Sequence, residues 1–248
     1  MGLPAPYISI SQINKYLACP KSYEYRYVQG IPETKSSALV VGSSFHKVIQ
    51  ESNRRKLETG ELLTDEEMNE IYKEYWDKSN IDIDWKDDED PATEYERGLV
   101  MAKAYMDDIG KQLEPVGFEA RFDVEVEGIP FMGYIDLIEK DGTIRDLKTS
   151  KKSPAKDMAE KSLQLTGYAY AYRELTGDRE RACSLDYVVS LKRGVKITRL
   201  ETEISDNRIE RFKDTLWNVA NAIDKEIYYR NEGMACSWCN FKDICKGE

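Results

Sequence analysis

The sequence predicts an α/β protein in which strands are enclosed by helices, with a helical cap built from the N-terminal half. Three features predict it. Residues 1–115 read as mostly helical, with capping residues and prolines at helix starts. Beyond Pro115 the pattern changes to strand-like runs punctuated by Gly128 and Asp141-Gly142. A long helical stretch and a cysteine-rich tail then close the chain. At 248 residues the chain can bury one hydrophobic core and carry a smaller helical subdomain. It is read as one domain, 1–248: a helical part and cap (1–115), a sheet core (116–204), and a C-terminal helix with the cysteine tail (205–248).

Each element has a local reason. Ser11 can cap a short helix ending near Cys19, and Pro20 suits the first position of a second one reaching Val28, because its missing N–H would be unpaired there anyway. Residues 42–57 read as a helix with Phe45, Val48 and Ile49 on one side. Thr64 and Glu67 have capping-box spacing and open a helix to about Lys78. Residues 81–90 are too acidic and irregular for an element and read as an exposed loop, and 91–113 read as another helix. Strands are expected at 117–127, 129–139 and 143–149. Residues 157–175 form a helix stopped by Gly177, 182–192 and 195–203 a hairpin around Arg193-Gly194, and Asp206 caps a long helix to about Tyr229.

Composition narrows the function classes. Hydrophobic residues make up 41% and charged residues 33%, no apolar run reaches the roughly 18 residues of a membrane helix, and the start MGLPAPYISI lacks the basic and apolar regions of a signal peptide. These features imply a soluble cytoplasmic protein without a membrane partner. The net charge of −10 argues at first against nucleic acid, but residues 58–96 hold 16 Asp/Glu and 3 Lys/Arg, so the remainder is +3. Residues 145–173 hold 7 Lys/Arg against 3 Asp/Glu. A basic face beside an acidic segment is compatible with DNA.

Two segments carry the chemistry, Gly133-Tyr134-Ile135-Asp136 and Asp146-Leu147-Lys148-Thr149. Side chains at i and i+2 share a strand face, so Asp146 and Lys148 point the same way while Leu147 turns into the core. Pairing through the Asp141-Gly142 turn lets the Asp136 carboxylate approach that of Asp146. Two adjacent carboxylates repel and call for a counter-charge. A hard divalent cation, Mg²⁺ or Mn²⁺, supplies it through oxygen ligands, and such an ion polarises a phosphodiester. Lys148 can orient water or stabilise charge developing on the phosphate.

With Gln164-Leu165-Thr166-Gly167-Tyr168, these motifs resemble the RecB-like branch of the PD-(D/E)XK nucleases, read as G-x-x-D, D/E-x-K and Q-x-x-x-Y. The resemblance implies a restriction-endonuclease-like core, a central mixed sheet flanked by helices, and places Gln164 and Tyr168, one helical turn apart, toward the active site and DNA. Gly42 and His46, the only histidine, match the upstream G-x-x-x-H segment of that branch. The family implies that His46, Asp136, Asp146 and the Leu147 backbone carbonyl hold the metal. Glu119 falls where these proteins often carry an acidic residue near the site, although Glu119, Asp123, Glu125 and Glu127 also suit a solvated strand face.

The cysteines are Cys19, Cys183, Cys236, Cys239 and Cys245. An odd count without a secretion signal speaks against a disulfide framework. Cys183 lies in an apolar strand and reads as core. The other four suit zinc or iron–sulfur, and spacing alone does not separate them. The layout of one cysteine before the core and three behind it is similar to the AddB nuclease domain and the CRISPR-associated RecB-like exonucleases, which implies a structural 4Fe-4S cluster.

The expected function is a metal-dependent DNA exonuclease, acting from single-stranded ends in recombination, repair, phage DNA processing or CRISPR adaptation, with a helicase or recombination or CRISPR proteins as partners. Lys151, Lys152, Lys156 and Lys161 are the candidate phosphate contacts, with Tyr168 facing DNA. Tyr23, Tyr25 and Tyr27 suit base stacking or core packing equally. The acidic residues 58–96 suit an insertion that guides or blocks a DNA strand. Rival readings are a zinc-stapled endonuclease and a DNA-binding scaffold with an inactive nuclease fold.

Overall fold

A computed structural model of the protein describes residues 2–79 and 83–247. The chain opens with α1 (Ile10–Ala18), whose first free N–H groups are met by the Ser9 hydroxyl, accepting from Gln12 N at 3.3 Å. The cap is therefore Ser9, not Ser11. Helix α2 (Pro20–Tyr23) follows directly, with Pro20 in its first turn, and continues into a wider π-helical turn over Glu24–Val28.

The cap begins with the short strand β1 (Lys35–Ser36) and α3 (Ser37–Thr59), a longer helix than the sequence suggested because Ser36 caps it, accepting from Leu39 N. Gly60 at φ +79° ends it in the left-handed conformation that glycine adopts without strain. The capping box at α4 (Asp65–Ser79) forms reciprocally: Thr64 N donates to Glu67 Oε2 at 2.9 Å, and Glu67 N to Thr64 Oγ1 at 3.2 Å. Within the expected acidic loop, β2 (Ile83–Asp84) pairs in parallel with β1, so part of that loop is an element; Ile81 and Asp82 lie outside the described residues. Asp90 caps α5 (Pro91–Tyr105), which passes into a π-helical turn over Met106–Gly110.

The main sheet runs β3 (Pro115–Val126), β4 (Ile129–Glu139), β5 (Thr143–Ser150), β6 (Ala182–Leu191) and β7 (Gly194–Thr202), hydrogen-bonded in that order. All neighbours are antiparallel except β5 and β6, so the sheet is mixed. A parallel pair needs a crossover. It is supplied by α6 (Met158–Lys161) and α7 (Leu163–Thr176), which the sequence reading had as one helix; Ser162 breaks it by turning extended and accepting from Leu165 N. The chain ends with α8 (Asp206–Asp224), capped by Ser205 rather than Asp206 and stopping short of Tyr229, and then a 3-10 turn over Met234–Trp238 and α9 (Lys242–Gly247).

The sheet is buried on both faces. One core joins α1, α7 and α8 to it through Ile13, Phe131, Leu165, Phe212 and Leu216; the other seats the cap through Val41, Phe45, Tyr72, Met101, Leu147 and Val188. Tyr23 and Tyr25 are buried in this packing, which removes them as base-stacking platforms. Among the described residues no helix is long and apolar enough to cross a membrane.

Candidate active site

The site lies where β4 and β5 part. Their ladder consists of Leu137 with Arg145 and Ile138 with Ile144, and does not extend to the next pair, Asp136 and Asp146. In place of a ladder bond, the Leu147 N–H donates to Asp136 Oδ2 at 2.9 Å. The two carboxylates thus face a common space at the point of divergence. On the other side of β4, Glu119 drops out of the β3–β4 pairs while the register continues past it, with Phe118 paired to Leu137 and Ala120 to Ile135. Its φ of +43° is the left-handed region that a non-glycine residue adopts at a cost of about 1–2 kcal/mol. That turn brings its carboxylate to the site. Helix α3 crosses close enough that a Cβ on Gly42 would touch Thr149 Oγ1 at 3.4 Å, and one turn later it presents His46.

Ligand atoms of His46, Glu119 and Asp136 lie within 4.8 Å of one another. The His46 Nδ1 is 3.7 Å from Asp136 Oδ2, too long for a hydrogen bond and suited to two ligands of one ion. His46 also meets the Leu147 backbone. Asp146 is fully buried, and its Oδ2 has no hydrogen-bond partner although Lys148 Nζ stands 2.8 Å away. A buried carboxylate beside a second one, with a single ammonium between them, has the chemistry of a cation site. Burial pushes the Asp136 carboxyl up to about 6, and burial reinforced by the Asp136 charge pushes Asp146 up to about 7. Burial lowers the His46 pKa, which keeps the ring neutral and able to ligate. Both effects fit a divalent ion: one ammonium, Lys148, faces two buried carboxylates, and the imidazole is neutral.

Asp146 and Lys148 share a face, and Leu147 is buried in the cap-side core. Lys148 donates to Asp146 Oδ1 at 3.1 Å and to Gln164 Oε1 at 3.0 Å; Gln164 Nε2 then donates to the Tyr168 hydroxyl at 2.7 Å. Burial would lower the Lys148 pKa, but the adjacent Asp146 outweighs it and the pKa is raised, so the ammonium stays charged. Gln164 and Tyr168 therefore form a hydrogen-bonded chain that ends on Lys148. Tyr168 is buried behind Gln164 and cannot touch DNA, which corrects the expectation that it does.

A second buried network lies on the opposite face of β5. Asp186 accepts from Ser184 Oγ at 2.6 Å, from the Tyr105 hydroxyl at 3.0 Å and from Arg145 at 3.3 Å, and Arg145 also donates to Glu139 at 2.6 Å. It ties the cap to the residue preceding Asp146.

The expected phosphate contacts divide. Lys151 is paired to Glu94 at 2.6 Å and lies 3.7 Å from Glu89, so two members of the acidic segment neutralise it. Lys161 is paired to Asp157, while Lys152 and Lys156 are exposed. Two clefts that the sequence did not reveal adjoin the site, one of about 660 Å³ lined by His46, Lys47, Tyr75, Glu119 and Tyr134, the other of about 370 Å³ lined by Tyr7, Arg121, Met132 and Tyr134. The signal for Tyr134 was present: it stands two residues before Asp136 on the same strand.

The C-terminal tail lies along the helices that flank Cys19. Lys21 N donates to Tyr229 O at 3.1 Å, Asn231 Nδ2 to Ala18 O at 2.9 Å, and Phe241 packs on Tyr25. Four thiols are a fitting donor set for iron–sulfur or zinc. A tetrahedral zinc with bonds of about 2.3 Å brings its sulfurs to roughly 3.8 Å from one another. Among the described residues no three cysteine sulfurs come within 4.8 Å of one another, so the expected cluster is not assembled. Cys183 is buried in β6, with its thiol 3.8 Å from Leu165 O.

A mixed sheet that parts to expose an Asp, an Asp-x-Lys pair and a histidine defines the core of a nuclease. The PD-(D/E)XK nuclease superfamily model matches residues 7–246, and the chain belongs to that superfamily. It is 26% identical to the Gene 69 protein of Mycobacterium phage L5, over 97% of this chain and 96% of the relative, and 26% identical to the Gene 69 protein of Mycobacterium phage D29, over 96% and 95%. Its fold is similar to that of a crystallised candidate exonuclease from Eubacterium rectale, with a TM-score of 0.64 at 14% identity, covering 98% of this chain and 88% of that one.

Proposed function

We propose that the protein is a Mg²⁺- or Mn²⁺-dependent DNA exonuclease that works from single-stranded ends. The observation carrying this reading is the convergence of His46, Glu119 and Asp136, with Asp146 coupled by charge to Asp136 and His46 and ion-paired to a charged Lys148. These four side chains, with the Leu147 carbonyl, would hold the cation, which when bound supplies Lewis-acid activation of water and phosphate. Lys148, held by Asp146 and Gln164, orients the attacking water and meets the charge that develops on the phosphate. Tyr168 fixes the Gln164 amide so that its carbonyl faces Lys148. Lys152 and Lys156 contact phosphates; Lys151 does so only by releasing Glu94. The exonuclease assignment is supported by the candidate exonuclease of similar fold, and the phage relatives favour phage DNA processing over repair, recombination or CRISPR adaptation, with a helicase as a possible partner class.

The same reading assigns Cys19, Cys236, Cys239 and Cys245 to a structural 4Fe-4S cluster. Its support is the docking of the tail beside Cys19; assembly requires the sulfurs to reorient around several iron atoms. Anaerobic purification tests it: iron and sulfide with broad visible absorption support the cluster, and a colourless protein with stoichiometric zinc refutes it.

The activity is tested on end-labelled linear and on circular DNA, single- and double-stranded, with Mg²⁺ or Mn²⁺, comparing wild type with Lys148→Ala. The expected result is digestion of linear single strands, sparing of circles, and a loss of about 100-fold or more in the variant. Cutting of circles would overturn the exonuclease assignment, and equal activity in Lys148→Ala would remove Lys148 from the mechanism.

A further inference from the structure

The cleft lined by His46 and Glu119 shares one wall, Tyr134, with the second cleft. This tyrosine is half exposed on β4, although Ile135 and Leu137 further along the same strand are buried. On one side its ring borders the cleft that reaches His46 and Glu119, with Lys47 and Tyr75 on the facing helices α3 and α4. On the other side it borders the cleft that holds Tyr7, Arg121 and Met132. The charges along this path are loosely held. Arg121 pairs with Asp123 across 3.2 Å, with both side chains more than half exposed, and also donates to Met132 Sδ at 3.4 Å; Lys47 pairs with Glu51 and Gln50 on its own helix. An exposed pair such as Arg121–Asp123 contributes about 0–1 kcal/mol and yields readily to a phosphate.

An aromatic ring on the floor of a cleft, with cations to either side and metal ligands at one end, has the chemistry that recognises a single nucleic-acid strand: bases stack on the ring and phosphates meet the cations. A duplex has no free base face to offer it. Resting on the nuclease reading above, we propose that Tyr134 is the platform on which a base next to the cleaved phosphate stacks. A single-stranded DNA end then runs from the Arg121 cleft, over Tyr134, to His46 and Glu119. This gives the single-strand preference a structural cause, and it assigns recognition to β4 rather than to the buried Tyr23 and Tyr25.

The test separates binding from cleavage. A short single strand carrying 2-aminopurine near one end, each end tested in turn, is titrated with the full chain in EDTA; wild type, Tyr134→Phe and Tyr134→Ala are compared, with the matching duplex as a control. Wild type and Tyr134→Phe should quench the fluorophore, and Tyr134→Ala should bind about tenfold more weakly with the quench lost. Thermal melts of the variants should match wild type, because the ring is half exposed. Single-strand binding by Tyr134→Ala as tight as wild type, or a wild-type complex without quenching, overturns the proposal. Adding Mn²⁺ reads the other claim: quenching that depends on Tyr134 without product release leaves the platform standing and refutes the nuclease reading, whereas product release that Tyr134→Ala leaves unchanged refutes the platform alone.

Discussion

Replacing Asp146 by Asn should stabilise the metal-free protein at neutral pH while abolishing cleavage. The carboxyl is fully buried and, through burial and then the Asp136 charge, has its pKa pushed up to about 7. In the unfolded chain an aspartate titrates near about 3.9. Between those values the folded protein holds a proton that the unfolded chain has released, so stability falls as pH rises through this window and stays lowered above it. The gap of about 3 units corresponds to about 4 kcal/mol. Asparagine removes that penalty. The pull of Lys148, 2.8 Å away, already lowers the Asp146 pKa and is contained in the figure, so the gain is at most about 4 kcal/mol. For a chain of this length that is roughly 2–4 °C per kcal/mol in melting temperature. Urea unfolding in EDTA at pH 8 and pH 5 measures it, and the penalty relieved should be less than half as large at pH 5. Mg²⁺ or Mn²⁺ should reverse the order at pH 8, because a ligand bound only by the folded wild type stabilises only that protein. An asparagine variant less stable than wild type at pH 8, or one whose advantage is the same at both pH values, would refute the reasoning.

Two further substitutions probe the scaffold. Gly167→Ala places a Cβ 2.7 Å from Ile10 Cδ1 and close to Phe131 and Phe212, and should cost about 1–3 kcal/mol in urea unfolding without altering cation binding. Asp186→Asn removes the charge shared by Arg145, Tyr105 and Ser184, and should cost about 3–5 kcal/mol, with any loss of activity restored at low temperature where the fold is retained.

Much of the site was legible because its signals are local. Strand periodicity placed Asp146 and Lys148 on one face, the Asp141-Gly142 turn returned β5 to Asp136, and the one-turn spacing of Gln164 and Tyr168 anticipated their hydrogen bond. Thr64 and Glu67 announced a helix start that forms as read. What escaped depends on choices between neighbours or on distant partners. Ser9 and Ser11, or Ser205 and Asp206, are equally good caps in isolation, and packing of the apolar face decides between them. The β1–β2 pair has no local signature, since two residues pair across the whole of α3 and α4. Ser162 breaks a helix whose apolar period continues past it. Glu119 could not be separated from its acidic neighbours by sequence, because its distinction is a left-handed backbone turn toward His46. The neutralisation of Lys151 by Glu94 joins segments 57 residues apart, so a basic run that suggested DNA contact is partly committed to holding the cap.

Binding of Mn²⁺ is followed by electron paramagnetic resonance at pH 7.5 in wild type and Asp136→Ala. Wild type should bind the ion saturably at the site of His46, Glu119, Asp136 and Asp146, and the variant should lose that binding. Unchanged binding in Asp136→Ala, with both proteins folded, would contradict that assignment.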